Sequence, residues 1–255
     1  MLKIHLFGCL KDNFGLLVHD ADSGETVTID TPDGAAILAE ARQLGWQITQ
    51  IWNTHWHADH AGGNAAIVEA TGATVSGPAE VERIGLKPDR IVTEGDEVRI
   101  GEHIARVLDV GGHTHQHVAY VFDQEGIAFV GDTLFSLGCG RVIEGNPAQM
   151  WASLSKLAAL PPDTQLYCAH EYTANNGKFA ITVDPNNSDL KARIEEVARL
   201  RTQGLPTVPS SLALELATNP FLRAPLLKQA IGRPDSEDWE AFAEIRRRKD
   251  NFRPV

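Results

Sequence analysis

Asn53-Thr54-His55-Trp56-His57-Ala58-Asp59-His60 follows directly on the apolar run Ile48–Trp52 and places three imidazoles and a carboxylate within six residues. A lone histidine is ordinarily a satisfied core or surface residue, but this density asks for a metal ion. Imidazole with carboxylate suits zinc, iron or manganese, whereas calcium prefers oxygen ligands alone. At the end of that strand the two-residue period points His55 and His57 the same way. A turn then sends Asp59 and His60 in a different direction, toward a second ion.

Upstream, residues 2–31 alternate apolar and polar in three runs, Leu2–Phe7, Phe14–His19 and Glu25–Ile29, separated by turn residues. This pattern predicts an antiparallel meander. Asp33-Gly34 opens a helix over Ala35–Leu44, with Ile37, Leu38, Ala41 and Leu44 on one face, and Gly45 ends it. The strand Gln47–Trp52 then delivers the histidines, and Gly62-Gly63-Asn64 turns the chain into a helix over Ala65–Ala70.

Downstream, Glu97–Ile100, Ile104–Val110, Val118–Phe122 and Ile127–Val130 read as strands, after a short helix near Glu80–Gly85. Polar clusters stand at further strand ends: Gly111-Gly112-His113-Thr114-His115-Gln116-His117, Gly131-Asp132-Thr133 and, after Gln165–Cys168, Ala169-His170-Glu171-Tyr172. Four strands thus end in potential ligands, as expected of a site at one rim of a sheet. Between them Asn146 caps a helix over Ala148–Leu160 with Pro147 at its first position. Beyond Tyr172 the pattern turns helical, over Asn187–Gln203, Ser210–Ala217 and Ser236–Lys249. We therefore expect an α/β domain over residues 1–172 and a helical domain over 173–255.

Trp239, Phe242, Arg246 and Lys249 fall on one face of the last helix, so the two aromatics are expected to pack inward and the two cations to lie at the buried edge. Arg247 and Arg248 are expected in solvent, where they complement the helix dipole. The net charge of −11 speaks against nucleic acid as a partner. No apolar run approaches a membrane span. Cys9, Cys139 and Cys168 are an odd number without a close pair, which suits reduced thiols in a cytoplasmic enzyme.

The motif Thr54–His60 resembles the signature of the metallo-β-lactamase superfamily. Gly112-His113-Thr114, Gly131-Asp132-Thr133-Leu134-Phe135, Gly138-Cys139-Gly140-Arg141, His170-Glu171-Tyr172-Thr173, Asn219-Pro220-Phe221 and Arg246-Arg247-Arg248-Lys249-Asp250-Asn251-Phe252 narrow the resemblance to its glyoxalase II branch, the hydroxyacylglutathione hydrolases. It implies an αββα sandwich with a C-terminal helical extension and two divalent metal ions, zinc first, with iron and manganese also tolerated. One ion would be held by His55, His57 and His113, the other by Asp59, His60 and His170, and Asp132 would bridge them together with a water or hydroxide. Asp59 and Asp132 are the carboxylates it makes catalytic. Arg141, Tyr172, Arg246 and Lys249 match positions expected to grip glutathione. The implied reaction is hydrolysis of S-2-hydroxyacylglutathione, typically S-D-lactoylglutathione, by a monomer acting in methylglyoxal detoxification. A glutathione persulfide dioxygenase, or another hydrolase of the superfamily, is the alternative.

Three positions depart from the pattern. Ile143 stands where an aromatic hydroxyl is common, Arg141 where lysine is usual, and His115 is an extra imidazole that by period two could compete with His113. His113 is preferred because it follows the glycine pair. His117 is assigned to the strand or to the surroundings of the site.

Overall fold

The computed structural model describes residues 1–253, and by its contacts the chain divides into two units, residues 1–109 with 116–131, and residues 110–115 with 132–253.

In the first unit, β1 (Leu2–Cys9), β2 (Asn13–Asp20) and β3 (Thr26–Ile29) form the expected antiparallel meander. After α1 (Gly34–Leu44), capped by the Asp33 carboxylate and ended by Gly45 at φ 70°, β4 (Ile48–Trp52) adds parallel to β3. Short α2 (Ala58–Ala61) and α3 (Asn64–Thr71) follow, then β5 (Thr74–Gly77), a 3-10 turn at Ala79–Ile84 and β6 (Arg90–Ile91), which complete a sheet of order β1-β2-β3-β4-β5-β6. The strands β7 (Glu97–Ile100), β8 (His103–Asp109), β9 (Val118–Phe122) and β10 (Ile127–Gly131) pair antiparallel in sequence order.

Apolar residues of β2, β4 and β5 pack under α1 and α3 through Leu17, Ile51, Val75, Ile37 and Ile67, all sealed from water. Trp52 faces the other way, its ring 5.3 Å from Tyr120 and 6.0 Å from Phe122, so β4 and β9 meet across an aromatic layer. This unit is therefore helix on sheet on sheet, with alternate residues of β4 filling two different cores.

The second unit holds β11 (Leu134–Phe135) paired with β12 (Gly138–Cys139), α4 (Pro147–Ala158), β13 (Gln165–Cys168), α5 (Thr173–Val183), α6 (Ser188–Thr202), β14 (Ser210–Ser211), α7 (Leu212–Thr218), α8 (Ala224–Leu227) and α9 (Asp238–Asn251). The buried Glu215 carboxylate accepts from Ser136 Oγ, the Leu137 amide and Ser210 Oγ, and Asn219 Nδ2 donates to the Phe135 and Gly138 carbonyls. These bonds tie the β11–β12 hairpin to α7. They are why contacts group residues 132–172 with the helices that follow, whereas the change of sequence pattern falls at Tyr172.

Three details differ from the sequence reading. The helix expected from Ser210 begins at Leu212, after two residues of strand. On α9 Phe242 is buried, but Trp239 is 40% exposed. Arg248 is not in open solvent: it donates to the Ile231 carbonyl and to Glu244. Arg247 is exposed as expected.

Candidate metal centre

The strand that delivers the histidines stops at Trp52, and residues 53–57 are irregular. His55 and His57 do converge, with Nε2 and Nδ1 3.1 Å apart, but the turn of the loop brings them together and not the two-residue period of a strand. That loop is held by buried polar side chains. Asn53 Nδ2 donates to the His60 carbonyl, Asn64 Nδ2 to Asn53 Oδ1, and Tyr120 OH to the Asn53 carbonyl.

Asp30, which the sequence reading passed over, orients two of the imidazoles. It sits at φ 58° directly after β3, 4% exposed. Its carboxylate accepts from the Thr54 amide (2.7 Å), from Thr54 Oγ1 (2.8 Å) and from His60 Nδ1 (2.8 Å). Because the Thr54 hydroxyl gives its proton to Asp30, its oxygen accepts from His55 Nδ1 at 3.0 Å. Both imidazoles are thereby set as the tautomer whose Nε2 lone pair faces away from Asp30, as metal-ligating histidines require. The only sequence signal was a carboxylate at a strand end, on the same rim as the motif.

In the second unit His113 Nδ1 donates to the Arg141 carbonyl at 2.8 Å, which turns its Nε2 lone pair toward Asp132 Oδ2, 3.4 Å away. His170 Nε2 lies 3.4 Å from the other oxygen, Asp132 Oδ1. One carboxylate thus presents one oxygen to each imidazole. Gly140 permits this closeness: a Cβ there would stand 1.8 Å from the Asp132 carbonyl oxygen. His113 is buried whereas His115 is exposed, so only the former joins the cluster. His117 is buried and stacks on His55 at 4.6 Å.

The donor pairs fit a divalent cation. Two ligands about 2.0–2.2 Å from one tetrahedral ion stand about 3.4 Å apart. The pairs within the first unit are 3.1 Å (His55–His57) and 3.7 Å (Asp59 Oδ2–His60 Nε2), and both pairs within the second are 3.4 Å. A lone pair aimed at a carboxylate is repulsive unless a cation or a proton lies between them.

Beside His170 the second unit has a cavity of about 450 Å³, lined by Phe135, Cys139, Arg141, Tyr172, Arg246 and Lys249 among others. The Tyr172 ring stacks on His170 at 4.7 Å, so the cavity adjoins that imidazole. All four residues expected to grip substrate therefore line one space. Arg246 is 6% exposed, braced by Asp250 and by the Cys139 carbonyl. Burial, then the charge of Arg246, lowers the pKa of Lys249 to about 8. Ile143 is 52% exposed. Burial pushes the Cys139 thiol up to about 11 and the Cys168 thiol up to about 12, so neither is a thiolate near neutral pH.

The family model of the metallo-β-lactamase superfamily matches residues 16–170, and that of the hydroxyacylglutathione hydrolase C-terminus matches residues 171–252. A hydroxyacylglutathione hydrolase of Erythrobacter litoralis is 57% identical over 99% of this chain and 100% of its own length. This chain belongs to the hydroxyacylglutathione hydrolase family. The expected α/β metallo-β-lactamase fold with a C-terminal helical extension is the one observed. Among solved structures, ETHE1 from Myxococcus xanthus superposes with TM-score 0.70 at 25% identity, covering 100% of this chain and 93% of that one. The protein TTHA1623, solved in a di-iron-bound form, gives TM-score 0.61 at 26% identity, over 86% of this chain and 100% of that one. As a member of the hydroxyacylglutathione hydrolases the chain is a metal-dependent hydrolase. No helix among the described residues is long and apolar enough to cross a membrane.

Proposed function

We propose that this chain hydrolyses S-2-hydroxyacylglutathione thioesters, S-D-lactoylglutathione to D-lactate and glutathione first among them, as the second step of methylglyoxal detoxification in the cytoplasm. The observation that carries the reading is the cavity of the second unit, where Arg141, Tyr172, Arg246 and Lys249 line a space adjoining His170. Arginine offers a planar fork for a carboxylate and lysine a point charge, which suits the two carboxylates of a glutathione moiety.

In this reading His55, His57 and His113 would hold one ion, Asp59, His60 and His170 would hold the other, and Asp132 would serve both. The ions are zinc in the first instance, and the enzyme is a monomer. Residues 1–172 form the catalytic domain and 173–255 the glutathione-binding domain. When bound, divalent ions lower the pKa of a coordinated water and stabilise negative charge developing on the thioester oxygen.

The residues' own tasks follow from their places. Asp30 and the Arg141 carbonyl fix the Nδ1–H tautomer of these imidazoles, which leaves the Nε2 lone pair to serve as the ligand. Arg246 and Lys249 anchor the peptide so that its thioester end is held beside His170. Water adds to the acyl carbon, the carbon–sulfur bond breaks, and glutathione leaves as a thiolate. A thiol of pKa about 8.5 leaves without strong acid assistance. With the Cys139 and Cys168 thiols neutral at working pH, no side chain needs to act as nucleophile.

Turnover of S-D-lactoylglutathione by the metal-loaded protein, followed by loss of thioester absorbance, tests this directly. Hydrolysis with a raised KM in Arg246→Ala is the expected result. Absence of hydrolysis, with oxygen uptake on glutathione persulfide, would overturn the reading in favour of the dioxygenase.

A further inference from the structure

We propose that Asn13, the first residue of β2, is the positioning residue for Asp59 and sets the affinity of the ion that Asp59 holds. The inference rests on the reading of Asp59 as a ligand.

Asn13 is 6% exposed, and its side chain reaches out of its own turn. Its Nδ2 donates to the Asp59 carbonyl at 3.1 Å and to Asp59 Oδ2 at 3.2 Å, reaching across 46 positions of sequence. Both partners are acceptors, so only the amide nitrogen can face them, and the amide has a single orientation. The backbone of Asn13 is fixed in turn by antiparallel pairing with Cys9. Asn53 and Asn64 also hold this loop, but through the His60 carbonyl and each other. Asn13 differs in touching the carboxylate itself.

Asp59 needs such a tether. Its side chain is 43% exposed, against 1% for His60 beside it, and it stands in the first turn of the four-residue α2. Ordering a half-exposed carboxylate at an ion costs side-chain entropy, and a contact fixed to a strand lowers that cost. The Asn13 amide anchors one end of that carboxylate with Oδ2 3.7 Å from His60 Nε2, close to the spacing of two donors on one cation. The hydrogen bond to Oδ2 is a neutral one, so it orients the carboxylate without neutralising it. Partners of this kind typically change metal affinity about 10–100-fold.

The test uses the full-length protein loaded with zinc and titrated with a chelator, with ions per chain counted by mass spectrometry. Wild type, Asn13→Ala, Asp59→Ala and the double variant are compared. Asn13→Ala is expected to release one ion at about 10–100-fold lower chelator while the other stays as in wild type. The double variant should match Asp59→Ala, since the tether has nothing left to hold. The melting temperature of metal-free Asn13→Ala should lie within about 3 °C of metal-free wild type. Both ions weakened together with a larger fall in that melting temperature would make Asn13 a fold residue and overturn the proposal. So would wild-type affinity at both positions. Should Asn13→Ala fail to fold, Asn13→Asp keeps the size and sets acceptor against acceptor, and the same selective loss is required of it. Because the readout is metal and not turnover, failure of the proposed thioesterase activity would leave this result standing. A wild type that binds one ion regardless of Asp59→Ala would overturn the two-ion reading and this proposal together.

Discussion

The two units supply candidate metal donors in opposite ways. The first gathers His55, His57, Asp59 and His60 from one stretch of chain, and side chains tether them: Asp30 orients His55 through Thr54 and His60 directly. The second draws His113, Asp132 and His170 from three separated segments, and backbone tethers His113, through the Arg141 carbonyl. A contiguous motif brings its donors close for little chain entropy, so remaining precision must come from side chains that fix rotamer and tautomer. Dispersed donors are placed by the fold itself, and a main-chain carbonyl suffices to aim them. The first cluster should therefore be sensitive to substitution around it, the second to substitution within it.

The largest effect is expected within the second cluster. Asp132→Asn leaves His113 and His170 without their shared carboxylate, and kcat should fall on the order of 10³-fold with loss of bound metal, read by turnover and metal analysis. Next comes Asp30→Ala, which frees two tautomers at once and should weaken metal binding about 10–100-fold in a chelator titration. Arg141→Ala is the control that could break the comparison. The bond to His113 uses the main chain, so metal affinity should hold while KM rises.

In the cavity, Arg246→Ala removes a buried charged donor, and KM should rise about tenfold or more at nearly constant kcat. A smaller effect attaches to Lys249. With its pKa lowered to about 8, it is charged below that pH and neutral above, so KM should climb severalfold as pH passes upward through 8. Lys249→Arg should flatten this profile. Smallest is Ile143→Tyr: a hydroxyl at that half-exposed place should lower KM by no more than about fivefold, one neutral hydrogen bond.

Elements whose signal is local were legible in the sequence. The β1–β3 meander, α1 between Asp33 and Gly45, the four strands β7–β10 and α4 behind Asn146-Pro147 all lie within a residue or two of the expected bounds. The helix α5 was not among the expected helices. Its sequence Thr173-Ala-Asn-Asn-Gly-Lys reads as a turn, and packing overrides that preference: Asn176 Nδ2 donates to the Ser136 carbonyl, and Gly177 lies close to Ile194 and Leu137. Likewise Trp239 fell on the apolar face of its helix but stayed 40% exposed, because periodicity shows a face without showing what covers it.

By itself the sequence nominated the candidate donors, because imidazoles and carboxylates at this density are a chemical statement that needs no third dimension. It also determined the family, because the motifs run the length of the chain. The tertiary structure alone decided which nitrogen of each oriented imidazole is offered, and that Asp30 bonds to Thr54 and His60 and Asn13 to Asp59. Those facts depend on single hydrogen bonds between residues tens of positions apart, and a hydrogen bond is set by ångströms that residue order does not record.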